Sequence, residues 1–79
     1  MTMVTCQFSL YPLRTTQIGE ILAEALKEVE ALGLSYEVGR MSTELQGSEE
    51  QVFTALRVAF ERAAEHGDVV LVATVSTAC

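Results

Sequence analysis

Seventy-nine residues make one small domain, since independently folding units rarely run below about 50 residues. Eleven acids against five bases leave a formal charge of -6, a surface that repels phosphate backbones, so no nucleic-acid partner is expected. No apolar run approaches the roughly 18 residues that span a membrane, and no basic segment followed by an apolar stretch marks a signal peptide, which points to a cytoplasmic protein without membrane insertion.

Residues 2–11 read as the first strand. Within it Val4, Cys6, Phe8 and Leu10 alternate with Thr5, Gln7, Ser9 and Tyr11. Period-two alternation puts the apolar set on one face and the hydroxyls, amide and phenol on the other. Pro12 ends this strand because proline lacks the ladder donor. Thr15 or Thr16 is placed to cap the helix that follows. Its apolar positions Ile18, Ile21, Leu22, Ala25, Val29 and Leu32 recur at three- and four-residue intervals, one stripe of an amphipathic helix. Glu20, Glu24 and Glu28 form a solvated face, and Gly33 fits the left-handed position that stops a helix.

Leu34, Tyr36 and Val38 alternate with Ser35 and Glu37 in a second strand. Gly39-Arg40 suggests a two-residue turn, with Met41, Thr43 and Leu45 alternating against Ser42, Glu44 and Gln46 on the return. Gly47 breaks that strand. Ser48 followed by Gln51 is a capping-box signature, and Glu49 and Glu50 suit the positive end of the helix dipole. Val52, Leu56, Ala59, Phe60 and Ala63 make the buried stripe of the second helix, and Gly67 stops it. Val69 to Thr77 is a final strand of β-branched and small residues.

The order βαββαβ has a favoured solution. Two right-handed crossovers interlock and set the first and third strands at the centre of a four-stranded antiparallel sheet, with both helices on one face. The expected fold is α+β, the ferredoxin-like plait, over a single domain at 1–79. Strand parity then leaves Gln7, Ser9, Tyr11, Ser35, Glu37, Ser42, Glu44, Gln46, Val70, Val72, Thr74 and Ser76 on the uncovered face. That face carries little charge for a solvated sheet surface. A hydrophobic share of 49% is also high for so small a domain, so a second copy of the chain is expected to cover apolar surface.

Phe8-Ser9-Leu10-Tyr11-Pro12, then Tyr36-Glu37-Val38-Gly39, then Met41-Ser42-Thr43 with Gly47, resemble the YkoF-type thiamine- and hydroxymethylpyrimidine-binding family in their order and spacing. The ending Thr74-Val75-Ser76 with Cys79 is similar to some members, while Glu44 departs from the apolar residue expected there. The resemblance implies a ferredoxin-like fold that associates through its sheet face, as a homodimer or homotetramer where the chain carries one repeat, with no catalytic activity. It further implies non-catalytic binding of thiamine or its hydroxymethylpyrimidine moiety, at the sheet face or between subunits, in vitamin uptake or salvage.

The residue chemistry suits such a ligand. Ser9, Ser42, Thr43 and Thr74 offer hydroxyls that both donate and accept hydrogen bonds. Tyr11 can stack on a ring or face the thiazolium cation. Glu37 or Glu44 can balance that charge or accept from the exocyclic amine. Parity turns Thr43 inward, so a contribution from it requires a bulge or a place at the end of the sheet.

The alternative is a homo-oligomeric interaction or regulatory module with no small-molecule ligand. An enzyme is not expected. His66 is the single histidine and is read as interacting with the negative end of the second helix, so nucleophile schemes built on serine or cysteine lack a base. Cys6 and Cys79 have no metal-ligand spacing. They can both point inward from neighbouring strands, but reduced thiols are the expectation in the cytosol. No glycine-rich phosphate loop, no acylphosphatase-like anion loop, no metal site and no cofactor are expected. Arg14 is read as solvated and Met41 as packed in the core.

Overall fold

The computed structural model describes residues 2–78. Along the chain it forms β1 (Met3–Pro12), α1 (Ile18–Ala31), β2 (Ser35–Val38), β3 (Thr43–Ser48), α2 (Glu49–Ala64) and β4 (Val69–Ser76). The sheet order is β2-β3-β1-β4 with every neighbouring pair antiparallel, which is the ferredoxin-like plait. β1 and β3 occupy the centre. The inward residues Val4, Cys6, Phe8, Leu10 and Leu45 pack against Ile21, Ala25 and Val29 of α1 and Val52, Ala55, Leu56, Ala59 and Ala63 of α2. Each buried side chain of valine to phenylalanine size stabilises the fold by about 1.5–3 kcal/mol, so this layer holds the sheet and the helices together.

Local signals and structure agree closely at α2. Ser48 accepts from the Gln51 N–H at 3.2 Å while its own N–H donates to Gln51 Oε1 at 3.0 Å, a complete capping box. Gly33 and Gly67 take positive φ of 76° and 136° at the two helix exits, where an L side chain would be strained. At α1 the threonines do not cap. Gln17 is the N-cap residue without a side-chain bond, and Thr15 Oγ1 instead accepts from the Gln17 N–H at 3.1 Å within the preceding turn.

The β2–β3 connection also departs from expectation. Primed two-residue turns need positive φ, and Gly39 does not adopt it. A four-residue loop, Gly39–Ser42, results, closed by the Gly39 N–H donating to the Ser42 carbonyl at 2.8 Å and by the Val38–Thr43 pair. Met41 and Ser42 therefore belong to the loop and not to the return strand, and Met41 is 89% exposed where core packing was expected. Gly47 does not break β3. It pairs with Val4 inside the ladder, and it is glycine because a Cβ there would lie 2.7 Å from Leu34 Cδ2.

Phe60 is largely exposed, and Ala55 takes the expected buried place. At about 100° per residue, Phe60 sits roughly 80° round the helix from Val52, at the margin of the packed stripe. Glu24 is not merely solvated: it pairs with Arg62 of α2 at 2.7 Å and with His66 Nε2, in the turn after α2, at 2.8 Å. His66 thus meets a carboxylate of α1, where interaction with its own helix end was expected. Arg14 has a φ of 53° and an ion pair with Asp68. Cys6 is a free, buried thiol, and Cys79, the other cysteine of the chain, lies outside the described residues.

Candidate functional site

The three central and edge strands do not end together. β1 pairs with β4 as far as Pro12–Val69, whereas its ladder with β3 stops at Phe8–Thr43. Ser9 to Pro12 therefore have a strand on one side only. Main-chain groups of successive strand residues point to opposite edges, so two bonds fix which residues face which neighbour. The Leu13 N–H donates to the Asp68 carbonyl at 2.9 Å, and the Glu49 N–H donates to the Thr2 carbonyl at 2.8 Å. Odd-numbered residues of β1 thus face β4 and even-numbered ones face β3. Leu10 is even-numbered, so its N–H and C=O face the side on which β3 has ended. Neither meets a partner among the described residues.

The loop Gly39–Ser42 occupies the side that a longer β3 would have filled. Had the ladder continued, Met41 would have stood opposite Leu10. Instead the Met41 carbonyl accepts a hydrogen bond from Ser9 Oγ at 3.0 Å. Between this loop, the end of β1 and α1 lies a cleft of about 300 Å³. Phe8 and Leu10 of the sheet and Ile18, Leu22 and Leu26 of α1 supply its apolar walls, with Ser9, Tyr11, Ser42 and Thr43 around them.

Four of the six nominated residues are brought together there: Ser9, Tyr11, Ser42 and Thr43. Thr43 turns inward as parity requires and still borders the cleft, because it is the first residue of β3 and stands at the sheet end. Glu37 and Thr74 are elsewhere on the sheet, Glu37 opposite Glu44 and Thr74 opposite Gln7. The α1 residues Ile18, Leu22 and Leu26 were not nominated. Their helical spacing signals only a buried stripe, and nothing local separates a residue that lines a cleft from one that packs in a core. The main chain of Leu10 was invisible for a similar reason, since its exposure depends on where another strand stops.

Register also arranges the open face in rows. Ser35, Gln46, Thr5 and Ser76 lie across one row, and Glu37, Glu44, Gln7 and Thr74 across the next. Beyond them Ser9 stands beside Val72 and Tyr11 beside Val70, so the end nearest the cleft is apolar and exposed. The adjacent carboxylates of Glu37 and Glu44 repel one another across the strands and concentrate negative charge on the β2 side.

Among the described residues two groups titrate unusually, and neither lines the cleft. The Glu30 carboxylate beside it pushes the Tyr36 phenol above its ordinary value, with the hydroxyl donating to Glu30 Oε2 at 3.3 Å. Burial pushes the Cys6 thiol up. Among the described residues no group of three or more His, Cys, Asp or Glu side chains is placed to hold a metal ion, and no helix is long and apolar enough to cross a membrane.

The fold and the cleft define a ferredoxin-like α+β protein with a small, mostly apolar cavity at the end of the central strand β1. Within that class the chain belongs to the YKOF-related family, whose profile matches residues 3–79. Solved structures share the architecture. A domain of unknown function from Bacillus cereus is 24% identical with a TM-score of 0.86, covering 95% of this chain and 75% of its own. A hypothetical protein from Methanocaldococcus jannascii is 20% identical with a TM-score of 0.88, covering 96% and 80%. A candidate thiamine biosynthesis/salvage protein from Thermotoga maritima is 20% identical with a TM-score of 0.82, covering 94% and 82%. At these identities the likeness is one of fold. Comparison with curated proteins finds no match.

Proposed function

We propose that this protein binds thiamine or its hydroxymethylpyrimidine moiety without transforming it, as a single binding domain over residues 1–79, in uptake or salvage of the vitamin. The observation that carries the reading is the convergence of Ser9, Tyr11, Ser42 and Thr43 on one cleft whose other walls are mostly apolar, with Arg40 of the loop as the one charged residue that lines it. Apolar walls with a few placed polar groups suit a flat heterocycle, the walls taking the ring faces and the polar groups its edge. Membership of the YKOF-related family and the shared fold of the Thermotoga maritima candidate thiamine biosynthesis/salvage protein support the choice of ligand.

In this reading Tyr11 lies against a ring, while Ser42 and Thr43 hydrogen-bond the ligand. The net charge of -6 favours a cation, and Glu37 beside Glu44 places part of it on the strands that carry the loop. Thr74, on the far side of β1, enters the site only from a second subunit. The exposed row of Tyr11, Val70 and Val72 supports such an assembly, a homodimer or homotetramer through the sheet face in the cytoplasm.

Calorimetry with thiamine, hydroxymethylpyrimidine and thiamine diphosphate tests the proposal. Saturable binding of thiamine or the pyrimidine at micromolar concentration is expected. If none of the three binds below millimolar concentration, the vitamin reading is wrong. The same exposed valines also favour a second reading, an oligomerising module without a ligand. Silent calorimetry together with a multimer in light scattering would identify it.

A further inference from the structure

We infer that the main-chain edge of Leu10, left open where β3 ends, is the group that reads the aminopyrimidine ring. This rests on the cleft being the thiamine site. Three observations meet at Leu10. It lines the cleft. Its N–H and C=O face the side from which β3 is missing, as the Leu13–Asp68 and Glu49–Thr2 bonds require. The acceptor that a longer β3 would have offered, the Met41 carbonyl, is taken by Ser9 Oγ.

The chemistry of that edge is specific. An extended residue presents one N–H donor and one C=O acceptor side by side in fixed orientation, and leaving both unpaired in a largely buried position is unfavourable. A 4-aminopyrimidine carries the complementary pair on neighbouring atoms. Its ring nitrogen N3′ accepts from the Leu10 N–H, and its 4′-amine donates to the Leu10 C=O. The hydroxyls of Ser42 and Thr43 cannot impose this order, because each rotates to donate or accept as the ligand demands. Ser9 is then a positioning residue: by holding Met41 aside it keeps the Leu10 edge free.

The test uses the full chain labelled with nitrogen-15, titrated with thiamine and with oxythiamine. The analogue has a 4′-oxo group and a protonated N3′, so its donor and acceptor are reversed. With thiamine, the Leu10 amide resonance should move to low field and its exchange with solvent should slow at least tenfold. The Val4 amide, already paired with Gly47 in the ladder, should stay unchanged. Oxythiamine should bind at least tenfold more weakly than thiamine. If thiamine binds while the Leu10 amide is unmoved, or if oxythiamine binds equally well, the edge does not read the ring although the proposed function stands. If neither binds, both fall together.

Discussion

Gly47 offers a prediction that the geometry determines almost alone. Its backbone angles suit any residue, so contact decides the outcome of Gly47→Ala. The added Cβ would lie 2.7 Å from Leu34 Cδ2 and 3.2 Å from Gln51 Oε1, and real Cβ atoms essentially never approach within 3.0 Å. Leu34 is buried against the core and has little room to swing away. Gln51 Oε1 is the acceptor of the capping box, so displacing it releases the Ser48 N–H. Overpacking of this kind destabilises by about 1–3 kcal/mol and loss of a cap by about 0.5–2 kcal/mol. The lower entropy of the unfolded alanine chain offsets about 0.4–1 kcal/mol. The net is a destabilisation of about 2 kcal/mol, a substantial part of the whole stability of a small domain. At about 4–8 °C per kcal/mol for a chain of this size, Tm should fall by about 8–16 °C in a circular-dichroism melt. Leu34→Val in the same background should return part of the loss, giving a coupling energy on the order of 1 kcal/mol in a double-mutant cycle. A Tm that stays within about 2 °C of the parent, or strict additivity in the cycle, would refute the steric account.

Other outcomes follow from the site and the core. Ser9→Ala removes the bond to Met41, worth about 0.5–1.5 kcal/mol, and Tyr11→Ala removes an exposed ring. Thiamine affinity measured by calorimetry should drop more than urea-derived stability in both variants, and equal losses would assign these residues to structure alone. Burial raises the Cys6 thiol above its ordinary 9.0, so its contribution to stability is complete below that pH and is lost as pH rises, because the unfolded chain ionises first. The urea midpoint should therefore decline from about pH 8 to about pH 10. Cys6→Ala should flatten part of the decline, leaving the portion due to Tyr36, whose shift has the same sign. An unchanged slope in that variant contradicts the assignment. Val72→Lys places a charge on the exposed row of the sheet and should lower the assembled mass in light scattering while leaving the circular-dichroism spectrum intact. An assembly of undiminished mass would rule out that face as the contact.

Local periodicity carried the architecture. The alternation of Val4, Cys6, Phe8 and Leu10 against Thr5, Gln7, Ser9 and Tyr11 follows from strand geometry, and the Ser48–Gln51 spacing follows from the first turn of a helix. Gly33 and Gly67 marked helix exits because few other residues adopt positive φ at low strain. These relations span a handful of residues, so the element order and the plait could be read along the chain. The ends of strands could not. Whether β3 begins at Met41 or Thr43 depends on the loop geometry at Gly39 and on a hydroxyl of Ser9, far away in sequence. That stagger decides which cleft exists, why Thr43 borders it although it points inward, and why Glu37 and Thr74 stand outside it. Likewise Phe60 and Ala55 share the periodicity of a buried stripe, and only the width of the packed interface separates them. Pattern along one chain segment reports which way a side chain faces, whereas its neighbours are set by how far each segment extends past the next.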